Sequence, residues 1–117
     1  MTAEATCVCG ACRITLPQTP TEASDCNCSL CRRLGALWSY HPAQDLAISG
    51  PTDSFARAEG ASLDIHRCAQ SGCVTHWSAR PGTFAEGRVG VNARLFDGFD
   101  PWTAPLRRID GAHHAWR

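Results

Sequence analysis

Apolar and polar residues alternate along several short stretches of the chain, and no long stretch repeats apolar residues at helical spacing. Cys12-Arg13-Ile14-Thr15-Leu16 puts three apolar side chains on one face, the mark of a half-buried strand, and Pro17 and Pro20 close it into a polar loop. Leu34 to His41 starts as a helical turn and then extends into a strand that Pro42 stops. Leu46 to Ser49 reads as a strand followed by the turn Gly50-Pro51. Ser54 to Ala58 reads as a strand or a short helical turn, broken by Glu59-Gly60-Ala61. Leu63 to Cys68 and Val74 to Ala79 alternate cleanly and flank a turn with a cysteine at each end. Gly87 to Phe96 has strand character weakened by glycines, and Gly98 and Pro101 interrupt the segment after it. Short strands with turn signals every eight to twelve residues predict a mainly antiparallel β fold with few or short helices.

Length and charge narrow the classes. With 117 residues, 44% of them hydrophobic, one domain over residues 1–117 is expected. The formal net charge is zero, so neither nucleic acid nor an anionic membrane is expected as the main partner, because both require a basic face. All eleven basic residues are arginine, which by itself carries no functional meaning. Met1 to Thr6 has neither the cationic region nor the apolar run of a signal peptide, and no stretch approaches a membrane span. The expected location is therefore cytoplasmic, where a disulfide framework is rare.

Eight cysteines then ask for metal rather than for cross-links. Cys26-Asn27-Cys28-Ser29-Leu30-Cys31 places three thiols within six residues: a C-x-x-C turn and a C-x-C arm, with Arg32 and Arg33 directly behind. A second C-x-C lies at Cys7 and Cys9, and a C-x4-C turn at Cys68 and Cys73. The simplest partition makes two zinc sites per chain. Cys7, Cys9, Cys68 and Cys73 form a closed structural site that clips distant strands together. Cys26, Cys28 and Cys31 form a second site with three local ligands and an open corner. Cys12 shares the face of Ile14 and Leu16 and reads as a buried core thiol, with completion of the three-cysteine site as its alternative role. His66 and His76 read as satisfied strand histidines, and His113 and His114 as solvated. Trp38, Trp77 and Trp102 read as core, with pocket lining as the alternative. Arg32 and Arg33 are either a solvated face or a pair that holds a substrate carboxylate. Tyr40 and His41 are the nearest proton-transfer candidates.

The blocks Cys7-Val8-Cys9-Gly10-Ala11-Cys12-Arg13 and Cys26 to Arg33, with the Cys68/Cys73 pair, resemble the glutathione-dependent formaldehyde-activating enzyme (GFA) family. That family also includes the centromere protein V (CENP-V) type. The resemblance runs from about Cys7 to Val91-Asn92-Ala93-Arg94. It implies a zinc-bound antiparallel β-tent, structural zinc at Cys7, Cys9, Cys68 and Cys73, and catalytic zinc at Cys26, Cys28 and Cys31. It further implies a carbon–sulfur lyase that binds a thiol such as glutathione and acts on its S-hydroxymethyl adduct. The alternative is a non-catalytic zinc-stabilised binding module, as its centromere-protein relatives allow. One departure stands out: the family's third cysteine pair is usually C-x-x-C followed by glycine, whereas this chain has C-x4-C with Gly72 inside.

Overall fold

The computed structural model describes residues 2–57 and 60–113. Among the described residues ten strands run in chain order: β1 (Ala3–Thr6), β2 (Arg13–Leu16), β3 (Ala23–Cys26), β4 (Trp38–Pro42) and β5 (Ala47–Ser49), then β6 (Thr52–Phe55), β7 (Leu63–Cys68), β8 (Val74–Ala79), β9 (Arg88–Asn92) and β10 (Leu106–Ile109). Among the described residues the only α-helix is one turn, α1 (Cys31–Leu34), closed by Gly35 in the left-handed conformation. The expected mainly antiparallel β architecture is therefore what the chain adopts. Ala58 and Glu59, at the end of one expected element, and His114, expected to be solvated, lie outside the described residues.

The strands form two sheets. A small one runs β1-β2-β5, and a large one runs β10-β3-β4-β9-β8-β7-β6. All neighbours are antiparallel except β10, which joins β3 in parallel. Alternation sets which face each side chain takes. Ala5, Ile14 and Leu16 of the small sheet are buried and cluster with Leu37, Val89, Val91 and Phe96. A second core contains Trp38, Trp77 and Ile65, with Ala36 and Ala85. Trp38 and Trp77 alternate with Ser39 and His76 along their strands, so this core lies on the opposite face of the large sheet.

Three strands carry no clear signal in the sequence. β1 is four residues with one buried side chain, and β3 is Ala-Ser-Asp-Cys, a polar run at the end of what reads as a loop. β10 exists through its parallel ladder to β3, which begins 83 residues earlier in the chain, a pairing with no local signature. Trp102 departs from its expected place in the core. It is 93% exposed, in a turn where its backbone N–H donates to Asp100 Oδ1.

Three turns meet at one end of the fold: the β1–β2 loop, the Gly50-Pro51 turn and the β7–β8 turn. Gly50 has φ +106°, and a side chain there would lie 2.2 Å from the carbonyl oxygen of Ala11. Only glycine allows that approach. The carbonyl of Pro51 accepts from the backbone N–H of Ala69 at 2.9 Å and from the Cys12 thiol at 3.3 Å, joining all three turns.

Candidate metal centres and an adjoining cavity

None of the eight cysteines is in a disulfide. The sulfurs of Cys7, Cys9 and Cys68 lie within 4.8 Å of one another, and so do those of Cys26, Cys28 and Cys31. Four sulfurs about 2.3 Å from a tetrahedral zinc stand about 3.8 Å apart, so both groups have the dimensions of a thiolate metal site. The backbone supports the same reading. The N–H groups of Cys12, Cys28, Cys31 and Ser71 donate to the sulfurs of Cys7, Cys26, Cys28 and Cys68 at 3.2–3.5 Å. Such donors stabilise sulfur as thiolate, the form that binds metal.

In the first group, β1 and β7 deliver Cys7 and Cys68 to the place where the three turns meet. Donation from the Ser71 hydroxyl, followed by its backbone N–H, brings the Cys68 thiol down to about 6. Cys73 packs half-buried against this cluster, outside the triad of mutually close sulfurs, with its N–H on the Ser71 hydroxyl. Cys12 sits beside the cluster as a buried thiol. Burial and its sulfur neighbours push it up to about 12.

The second group is built from the end of β3, a tight turn and the start of α1. At Cys28 burial pushes the thiol up, but donation from Cys31 and its other neighbours outweighs this and the net shift is downward. Burial pushes Cys26 and Cys31 upward. For Cys31 the indole N–H of Trp38, 3.4 Å from the sulfur, pulls the other way. Asn27, between the first two cysteines, is fixed from outside: its side chain donates to Asp110 Oδ1 and accepts from the N–H of Ala112. The spacing of the cysteines gives no hint of this clamp.

All three cysteines of the second group open onto a cavity of about 410 Å³, and none of the first group lines it. Its surface is mostly aromatic and aliphatic, with Trp38, Tyr40, Trp77, Ile65, Leu63 and Phe84 prominent. Among the described residues Arg57 and Arg88 are the cationic side chains that line it. Arg32 and Arg33 are exposed on α1 and do not line it, and Arg33 donates to the carbonyl of Ser29 instead. A helix of one turn that faces Cys31 inward turns the next two side chains outward. Tyr40 lines the cavity, whereas His41 points to the opposite face and is hydrogen-bonded to Ser39. Burial raises the Tyr40 hydroxyl above its usual range. His66 and His76 stack at 4.3 Å between ring centroids, are satisfied by Ser78 and Thr75 and belong to neither sulfur group.

The family model for the glutathione-dependent formaldehyde-activating enzyme matches residues 2–109. The chain belongs to this family. A crystal structure of a Rhodobacter sphaeroides protein, a structural-genomics target, is similar to this member at a TM-score of 0.71 and 25% identity. The match covers 88% of this chain and 98% of that one. No curated protein matches this GFA-family chain. No helix among its described residues is long and apolar enough to cross a membrane.

Proposed function

We propose that this GFA-family chain is a cytoplasmic zinc-dependent carbon–sulfur lyase holding two zinc ions. In this reading it binds a glutathione-type thiol and acts on the thiol's S-hydroxymethyl adduct. The observation that carries the reading is the asymmetry between the sulfur groups: Cys26, Cys28 and Cys31 face the cavity and Cys7, Cys9 and Cys68 do not. An open corner facing a cavity suits catalysis, and a closed one suits structure. Cys73, packed against the first group, is the proposed fourth ligand there.

Zinc held by Cys26, Cys28 and Cys31 supplies a Lewis acid that lowers a thiol's pKa. In the lyase direction the C–S bond of RS–CH2–OH breaks, its electron pair goes to sulfur, the hydroxyl proton passes by way of the Tyr40 hydroxyl to solvent and formaldehyde departs. The reverse direction forms the same bond and returns a proton to the carbonyl oxygen. Tyr40, kept protonated by its burial on the cavity wall, is the candidate to donate that proton. The aromatic walls give the reacting carbon mostly apolar surroundings. The exposed Arg32 and Arg33 suit a solvated face better than a substrate clamp, and the cavity's Arg57 and Arg88 take over the role of holding an anion.

The clamp on Asn27 favours the second reading, a zinc-stabilised binding module, since a pinned loop also serves structure. Exchange of 13C-formaldehyde with the S-hydroxymethyl adducts of several thiols, monitored by NMR, decides between them. Zinc-loaded protein should accelerate exchange over the spontaneous rate, and folded Cys28→Ser protein should not. No acceleration by fully zinc-loaded protein with any thiol leaves the binding module.

A further inference from the structure

The lining of the cavity bears on which thiol it takes. Glutathione carries two carboxylates, an ammonium and two amides, and burying such groups unpaired costs several kcal/mol. No Asp or Glu lines the cavity among the described residues. The surface offered is apolar and aromatic instead. Tyr40 and Trp77 lie with ring centroids 5.8 Å apart at 49°. Gly90 is what lets the indole lie over β9, since a Cβ there would stand 2.0 Å from Trp77 Nε1.

The order of groups along β4 is equally specific. Trp38 touches Cys31, Tyr40 comes two residues later, and the Arg88 guanidinium sits over the Tyr40 ring at 5.4 Å from its centroid. Two residues of strand span about 7 Å. Arg88 has no ion-pair partner among the described residues. Sulfur chemistry, an aromatic shelf and a cation thus succeed one another across roughly the length of a substituted ring. The volume suits a small molecule.

We infer that the thiol accepted here has a flat, apolar body and one anionic group at the end remote from its sulfur, set between Cys26/Cys28/Cys31 and Arg88 along the shelf of Tyr40 and Trp77. This rests on the thiol-lyase reading and narrows its substrate class. The probes are 4-(mercaptomethyl)benzoate, its uncharged analogue 4-methylbenzyl mercaptan, and glutathione, each titrated calorimetrically into zinc-loaded protein. The benzoate should bind at least tenfold more tightly than glutathione. Arg88→Gln should bring the benzoate down to the level of the uncharged analogue, and Trp77→Leu should weaken both aromatic thiols more than glutathione, with zinc content unchanged. Glutathione binding as tightly as the benzoate, or an aromatic preference indifferent to Arg88 and Trp77, overturns the inference. If glutathione's adduct is then turned over, the lyase reading stands without it. Failure of all three thiols to bind removes both.

Discussion

The indole Nε1–H of Trp38 donates to the sulfur of Cys31 across 3.4 Å, linking the aromatic shelf of the cavity to its thiolate end. A donor of this kind orients a metal ligand and disperses its charge. Trp38→Phe keeps most of the ring but removes the N–H. Zinc affinity at the Cys26/Cys28/Cys31 site should fall about 10- to 100-fold. Chelator competition should show one weakened zinc and one unchanged. Equal affinities in the two proteins would reduce Trp38 to packing.

The two sulfur groups should respond differently to metal loss. The first group ties together turns from two distant parts of the chain, whereas the second lies within residues 26–31. Purified protein should carry about two zinc ions. Mild chelation should remove one zinc with loss of thiol binding but little change in melting temperature, and harsher chelation should remove the other and unfold the chain. Cys28→Ser should fold and Cys9→Ser should not. Equal unfolding in both variants, read by circular dichroism, would make both centres structural.

Gly90→Ala tests the shelf directly. The added methyl collides with Trp77 Nε1 and forces the indole or β9 to shift. Overpacking of this kind costs about 1–3 kcal/mol. Denaturant melts should show that loss while zinc content holds at the wild-type value. A variant as stable as the parent would mean the indole has another resting place.

Stability should also fall with acid through His76. Burial first, and the stacked His66 second, lower its pKa from 6.5 to about 4. The unfolded chain therefore takes up this proton more readily than the folded one. The stabilisation is fully present above pH 6.5 and is lost as pH falls from there through about 4. The loss is of order 3 kcal/mol. Urea melts from pH 7 to 4 should slope less for His76→Gln than for the parent, and parallel slopes would place the acid sensitivity elsewhere.

Legibility in the sequence tracked locality. β2 alternates over its whole length, and β7 and β8 lie at the expected residues, although a bulge between His66 and Arg67 breaks the alternation of β7. The helical turn comes before β4 as expected but spans Cys31–Leu34, ending where it was expected to start. The cysteine groups were legible because C-x-C and C-x-x-C impose convergence by themselves, and the meeting of Cys7 and Cys9 with Cys68 agrees with the simplest partition. β3 and β10 were not, because polar residues form strands there only through a ladder between distant segments. Nor were Arg57 and Arg88 as cavity residues. Each is an isolated arginine in the sequence with no cysteine beside it, unlike the Arg32-Arg33 pair.

Asn27 gives the fold a temporal order. Its partners Asp110 and Ala112 lie 83 and 85 residues further along the chain. A ribosome delivers the thiols of residues 26–31 long before it delivers the strand that steadies them. The nascent chain therefore presents three close cysteines with their clamp still unmade. The most compact motif in the sequence is thus among the last parts to reach its final geometry, and metal that arrives early meets a looser site than metal that arrives after β10 has docked.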